Sequence, residues 1–266
     1  MSAVDAGLPA PLLKIIGIME KRMYRSATHI VTVGQGYTEK LIERNVPAEK
    51  ISVIMNGVDK KLFYPRPVND KLLADHGLTG KFVCSYVGTI GMACGLRTAL
   101  DAAEMLKQRG RDDIAIVLVG DGAQREALER EAKERKLDNV LFLGRHPKSE
   151  MPDWVASSNV NLVHLKKTDL FTTVMPSKIF ESAGCARPVL MGVDGFAKKL
   201  VLDAEAGIPM EPENAVQMAD ALEKLAADPG FCRQLGENAY RNIATRYDRD
   251  LQADEYLKIL EDTITS

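Results

Sequence analysis

Cysteine is scarce. The 266 residues include four, Cys84, Cys94, Cys185 and Cys232, widely spread and without a CxxC pair. This argues against a disulfide framework and a thiolate zinc site, and fits a reducing cytosol. The four histidines, His29, His76, His146 and His164, show no HxxxH or similar ligand spacing, so no metal site is expected. An excess of one charge is also missing. Lys and Arg number 35 against 37 Asp and Glu, a net charge of -2, and no bulk field favours nucleic acid as a partner. No run is long and apolar enough to span a bilayer. The opening MSAVDAGLPAPLLKIIGIMEKR carries Lys14 inside its apolar part and lacks a basic leader, a poor fit to a signal peptide. There is no GxSxG, no SxxK and no paired Cys and His, so no activated nucleophile is apparent. Repeats and low-complexity tracts are absent. The composition as a whole, 45% hydrophobic and 27% charged, is that of a globular protein with a core.

Residues Pro11 to Ser26 read as an amphipathic helix, with Leu12, Ile15, Ile16 and Met19 at helical spacing and Lys14, Lys21 and Arg22 between them. Packing on a sheet is the expected use of that apolar face. The alternative is contact with a membrane surface, which would place a cytoplasmic protein at the inner face of the cell membrane. His29–Val33 and Ile51–Met55 are short strands, with a helix from Tyr37 to Arg44 between them. Two strands are too few to bury both faces of a domain. Residues 60–80 read as a linker with a short helix.

From Lys81 strands and helices alternate regularly. Strands are expected at Phe82–Val87, Ile114–Val119, Val140–Leu143, Val160–Leu165, Pro188–Met191 and Ile208–Met210. Helices are expected at Leu96–Gln108, Gln124–Arg135, Met151–Ser158, Ala215–Ala227, Gly230–Ile243 and Leu251–Thr263. Short buried strands alternating with helices predict an α/β, doubly wound parallel sheet, with ligands at the C-terminal ends of its strands.

The loops at those ends hold the candidate chemistry. Gly88-Thr-Ile-Gly91 follows a strand and precedes a helix; the motif alone is compatible with a plain turn or a phosphate loop. It is not GxGxxG, and no acidic residue ends the next strand, which disfavours a dehydrogenase. Gly120-Asp-Gly122 follows the next strand; Arg145 and His146 end the one after. Arg145 could pair with phosphate, and His146 could stack on a base or do nothing. Lys166 and Lys167 are either a solvated pair or phosphate contacts. In TVMPSKIFESAGCARPVL, Ser177 is the expected N-cap of a helix that Pro176 keeps from starting earlier. Lys178 and Glu181 then share a face near the helix N-terminus, where partial positive charge suits a phosphate and a carboxylate suits sugar hydroxyls.

Taken in order, ATHIVTVGQGYTEKLIERNVPAEKISVIMNGVD, YVGTIGMACGL, LVGDGAQREALE, NVLFLGRHPKSEMP and MPSKIFESAGCARPVL resemble the C-terminal part of retaining GT-B glycosyltransferases of the large group 1 family. The likeness covers most of the chain from Ala27 to about Met210 and is greatest to bacterial enzymes that move amino sugars in surface polysaccharide synthesis. It implies two Rossmann-like domains facing a cleft. Residues 1–78 would be the last part of an acceptor domain plus a linker, 79–247 a complete donor domain, and 248–266 a helix crossing back. The start, MSAVDAGL, looks like the family's interior.

The resemblance implies roles position by position. Gly88, Thr89 and Gly91 would face the donor diphosphate, with Gly120 and Gly122 on the adjoining loop. Arg145 and His146 would lie beside the base, Glu181 would hold the ribose, and Ser177 and Lys178 would neighbour the phosphates. Lys178 and Glu181 would be the catalytic pair. The implied reaction transfers a sugar from a nucleoside diphosphate sugar, UDP-linked by preference, to a glycan or lipid-linked acceptor with retention. It needs no metal and no cofactor beyond the donor substrate. Three departures stand out. Thr173 occupies the place of the first of the family's paired glutamates, Thr89 and Cys94 occupy the places of a basic pair, and most of an acceptor domain lies outside the sequence. Two other readings remain: a non-catalytic nucleotide-sugar-binding module needing a partner chain, and a GT-B epimerase, which would need an acid/base set not assignable here.

Overall fold

Six apolar residues in a row, Ile114–Val119, can be satisfied only in a strand covered on both faces. In the computed structural model, which describes residues 9–265, they form β4, and all six are buried. Ile114, Ile116 and Leu118 point into one core; Ala115, Val117 and Val119 point into another. β4 lies in a six-stranded parallel sheet with β3 (Phe82–Val87), β5 (Val140–Gly144), β6 (Val160–His164), β7 (Val189–Gly192) and β8 (Gly207–Pro209). The strand order is β5-β4-β3-β6-β7-β8. The expected doubly wound α/β sheet is therefore present.

The chain winds outward from β3 to β5, then returns and winds the other way from β6 to β8. The order reverses between β3 and β6, which makes their C-terminal ends the topological switch point where such sheets bind ligands. Pairing is brief there. Cys84–Val160 and Ser85–Asn161 are in register, whereas β3 and β4 align over six pairs. The seam is partly polar: Ser85 Oγ donates to Asn161 Oδ1 at 2.7 Å, and the Val83 N–H donates to Asn159 Oδ1 at 2.7 Å. Buried groups so paired cost little, whereas one left alone would cost about 1–3 kcal/mol.

One face of the sheet is covered by α4 (Arg97–Gln108), α5 (Arg125–Glu134), α9 (Ala215–Ala227) and α10 (Pro229–Ala239). The other is covered by α6 (Met151–Ser157), α7 (Ser177–Gly184) and α8 (Phe196–Asp203). Caps explain several starts. Asn214 Oδ1 accepts from the Gln217 N–H and Asp228 Oδ1 from the Phe231 N–H, an arrangement worth about 1 kcal/mol each.

Four expectations need correction. Ser177 is the first helical residue of α7, not its cap. Pro176, extended at φ -66° and ψ 133°, takes the cap position, and no side chain caps this helix. The helix α8 was not expected. Gly195, at φ +78°, lets the chain turn sharply against the Thr172 carbonyl just before it. The helix read as Gly230–Ile243 ends at Ala239 and continues as a π turn over Tyr240–Ala244.

The fourth correction concerns α1 (Ala10–Ser26). None of its residues is buried. Leu12, Leu13, Ile15, Ile16, Ile18, Met19 and Met23 are 40–65% exposed, so the expected packing on a sheet is not seen. Residues 1–8, the whole of MSAVDAGL, lie outside the described ones. β1 (Ile30–Thr32) and β2 (Ile51–Val53) form a separate parallel pair, with α2 (Gln35–Glu43) between them and a single-turn-and-a-half α3 (Asp70–Asp75) leading to β3.

The segment after β2 is tied to the end of the chain. The Val58 N–H donates to the Tyr247 carbonyl at 2.8 Å, and the Arg249 N–H returns a bond to the Val58 carbonyl at 3.0 Å. Lys60 pairs with Asp248 at 2.7 Å. Gln252, on α11 (Arg249–Thr265), donates to the Met55 carbonyl. Among the described residues no helix is long and apolar enough to cross a membrane.

Candidate functional site

The C-terminal ends of β3, β4 and β5 open into a cleft of about 1010 Å³. Gly88 and Thr89 leave β3, Gly120 to Gly122 leave β4, and Arg145 and His146 leave β5, and all of them line it. The glycines are there because nothing else fits. Gly88, Gly120 and Gly122 have φ of +143°, +141° and +156°, values that side chains rarely adopt. A Cβ on Gly120 would land in the Gly88 carbonyl, and one on Gly122 would lie 2.5 Å from the Ile90 carbonyl oxygen. The two loops are also laced together: the Gly88 N–H donates to the Val119 carbonyl at 2.8 Å and the Ile90 N–H to the Asp121 carbonyl at 2.9 Å.

Lys178, in the first turn of α7, brings its ammonium beside Gly88, although neither Lys178 nor Glu181 is among the residues that line the cleft. A Cβ on Gly88 would be 2.6 Å from Lys178 Nζ, and that Nζ sits 5.0 Å from the centroid of the buried Tyr86 ring. Burial pushes the Tyr86 phenol well above its ordinary range, with the Cys94 thiol adding to the effect, so it stays a hydroxyl. Its O–H donates to the Thr89 carbonyl at 2.8 Å and lies 3.1 Å from Cys94 Sγ; the Cys94 thiol also donates to the Thr89 carbonyl, at 3.3 Å. Among the described residues neither Lys178 nor Glu181 has an ion-pair partner. A half-buried, unpaired ammonium at the start of a helix and beside glycine backbone is a seat for an anion.

Glu181 lies one turn after Lys178 and is half-buried. His146 lines the cleft with its edge to Trp154, 6.0 Å between centroids, and its Nδ1–H donates to Glu150 at 2.8 Å. Arg145 is exposed at the rim. Gly91 and Ser177 do not line the cleft. Gly91 has φ -105° and starts the 3-10 turn Met92–Cys94, and a Cβ there would meet only Thr89 Cγ2, at 3.8 Å. Ser177 is exposed. Of the lysine pair, Lys167 is committed to Glu211 at 2.8 Å, while the Lys166 N–H donates to the Ala93 carbonyl at 2.9 Å.

Thr173 is buried, and its Oγ1 donates to the Leu170 carbonyl at 3.2 Å. Its side chain faces α2, since a Cβ on Gly36 would lie 2.7 Å from both Thr173 Cβ and Cγ2. Asn56 reaches over from the β1–β2 side to donate to the Met175 carbonyl at 2.8 Å. The cleft-side loop before α7 is therefore held from both sides. Tyr86 and Cys94 were not among the sequence candidates; their parts depend on a turn that brings residues 86, 89 and 94 into one knot.

Comparison with known proteins agrees with this geometry. The family model described as "Glycosyl transferases group 1" matches residues 68–242. The chain is 28% identical over 181 residues to an alpha-D-kanosaminyltransferase of Streptomyces kanamyceticus, covering 68% of this chain and 45% of that protein. It is 25% identical over 206 residues to the probable glycosyltransferase WbjE of Pseudomonas aeruginosa, covering 76% and 50%. The chain thus spans about half the length of the curated relatives it matches. Its fold resembles that of Anabaena Alr3699/HepE, solved in complex with UDP and glucose, at a TM-score of 0.78 and 21% identity, covering 90% of this chain and 64% of the other.

Proposed function

The chain belongs to the glycosyl transferases group 1 family, and from that premise we propose that it provides the donor half of a glycosyltransferase. The substrate is a nucleoside diphosphate sugar, UDP-linked by preference, and it needs no resident cofactor or metal. The sugar, read as an N-acetylated amino sugar, passes with retention to a glycan or lipid-linked acceptor in polysaccharide or O-antigen type synthesis, at the cytoplasmic face of the membrane. One observation carries this reading: Lys178 Nζ stands beside Gly88, which lines a cleft walled by the loops of three successive strands. Loops that turn tightly beside a fixed cation suit a diphosphate, and the rim carrying Arg145 and His146 suits a base.

The chemistry asked of these residues is leaving-group stabilisation. As the anomeric bond breaks, negative charge grows on the diphosphate. A cation and backbone N–H groups already in place meet that charge without reorganising. Glu181 holds the ribose hydroxyls, so the nucleotide is anchored while the sugar moves. The exposed apolar and basic surface of α1 supports a peripheral membrane contact, tested by co-sedimentation with anionic vesicles; full recovery in the supernatant would count against it.

The test is calorimetry with UDP-glucose and UDP-N-acetylglucosamine, followed by a donor-hydrolysis assay. Saturable binding plus turnover lost in Glu181→Ala is the expected result; no heat at millimolar ligand would sink the reading. A second reading, a binding module without turnover, is favoured by Thr173, which lies buried against Gly36 where a second carboxylate would serve the sugar. Binding without hydrolysis in every variant would select it.

A further inference from the structure

His164 is the last residue of β6, at the switch point, and only 2% of it is exposed. Both ring nitrogens are used. The Glu213 N–H donates to Nε2 at 2.9 Å, so that nitrogen carries no proton. Nδ1 must therefore hold the proton, and it donates to the Cys94 carbonyl at 2.7 Å. The ring has no room to turn over. A Cβ on Gly95 would lie 2.9 Å from Cε1, and one on Gly192 would overlap Cδ2. These glycines make a slot for a flat ring, at the ends of the loop after β3 and of β7.

One of its two partners leads to the cleft. Cys94 closes the 3-10 turn and sends its thiol back to the Thr89 carbonyl, so the ring, Cys94 and the cleft-lining Thr89 form one hydrogen-bonded chain. Glu213 sits at φ +64°, a conformation that non-glycine residues seldom hold without support, and its carboxylate accepts from the Lys167 N–H at 2.9 Å. The sequence reading gave His164 no role.

We propose that His164 is a positioning residue for the donor site: as the neutral, Nδ1-protonated imidazole it clamps the turn carrying Thr89 to the loop carrying Glu213, and protonation at Nε2 opens the clamp. A proton on Nε2 would point at the Glu213 N–H, donor against donor, inside a slot that allows no other pairing. The groups facing the ring are the Glu213 carboxylate, Lys166 beside Gly95, and the Cys94 thiol, which is turned toward Thr89. The other charges on these loops are mutually engaged, Glu211 with Lys167 and Asp194 with Lys198. Burial holds His164 below the ordinary histidine value of 6.5, and the Cys94 carbonyl and Glu213 oppose this only in part. The clamp is thus closed above that value and is lost as pH falls through the depressed one.

The inference rests on the cleft being the nucleotide-sugar site, and the test separates the two. UDP-glucose is titrated calorimetrically from pH 8 to 5 into the wild type, His164→Gln and His164→Phe, with melting followed alongside. A glutamine offers one donor and one acceptor and does not titrate in this range. The diphosphate of UDP-glucose is a diester and keeps its charge. The other three histidines are common to all three proteins. The expected result is a wild-type affinity that falls roughly tenfold on acidification, as the loss of one or two buried bonds implies, a flat profile in His164→Gln, and weakened binding at every pH in His164→Phe. If His164→Phe fails to fold, the glutamine comparison alone decides. A His164→Gln profile that falls in step with the wild type overturns the clamp and leaves the donor site standing. Absence of UDP-glucose binding in the wild type at every pH overturns both.

Discussion

Lys178 Nζ and the Tyr86 ring lie 5.0 Å apart, with the ammonium over the aromatic face and above Gly88. An aromatic face attracts a cation by about 0.5–2 kcal/mol without neutralising it. The ring therefore holds the ammonium in place while leaving its charge for the diphosphate of the proposed donor. Lys178→Ala should weaken UDP-glucose binding by roughly ten- to a hundredfold, the range for a charge-assisted bond of about 1.5–3 kcal/mol, with the melting temperature little changed. Lys178→Met keeps the stem and isolates the charge; an affinity equal to the wild type would remove Lys178 from the site.

The glycines of the cleft loops are not equivalent. Gly120→Ala forces a Cβ into the Gly88 carbonyl at a backbone angle of +141°. Such a change costs at least about 1–3 kcal/mol in backbone strain alone and distorts both loops. Lower stability in urea and a large loss of UDP-glucose affinity are expected together. Gly91→Ala meets only Thr89 Cγ2 at 3.8 Å, and φ there is -105°. It should fall within about 0.5 kcal/mol of the wild type, as surface changes do. If Gly91→Ala proved the more damaging of the two, the loop geometry described above would be wrong.

Parts of this site are legible in the sequence. The sequence pattern marks β3 and β4 at their observed bounds, because a central parallel strand writes itself as an unbroken apolar run between turn residues. The loop glycines were legible for the same reason, as punctuation after such runs. The cover of α1 was not: Leu12, Ile15, Ile16 and Met19 reveal an apolar face but not what meets it. Ser177 misled because its side chain suits a cap, while the preceding proline had already set the backbone there. His164 left no motif at all. Its partners are backbone groups 70 and 49 residues away, and backbone groups carry no residue identity.

Thr173→Glu would place a carboxylate where the resemblance implies one, but the position is closed. Thr173 is buried against Gly36, and its hydroxyl is spent on the Leu170 carbonyl. A charge forced into that buried contact costs a few kcal/mol even when burial is partial. The variant should melt lower and bind UDP-glucose no better than the wild type. Thr173→Ser, which keeps the hydroxyl and removes the methyl nearest Gly36, should cost about 1 kcal/mol. Improved donor turnover in Thr173→Glu would show that the loop before α7 can swing this side chain toward the sugar.

Asp248 offers a pH-dependent handle on how the first strand pair is tied to the end of the chain. Its hydrogen bond from Lys60, at 2.7 Å, holds its carboxyl below the usual carboxylate value of 3.8. Next to it, the Val58 and Arg249 backbones exchange bonds with Tyr247 and Val58. A carboxyl lowered in the folded state contributes stability above its unfolded value and loses it as pH falls through the folded one. Asp248→Asn should therefore be less stable than the wild type at pH 7, by a margin within about 1 kcal/mol because the pair is partly solvated. The difference should shrink below pH 4. Amide exchange at Val58 and Arg249 should quicken in the variant at neutral pH, since the bonds they donate to the Tyr247 and Val58 carbonyls lose the adjacent ion pair. Melting curves that keep a constant offset from pH 7 to pH 3 would show that Asp248 acts through its shape and its bond to the Asp250 N–H, at 3.0 Å, and not through its charge.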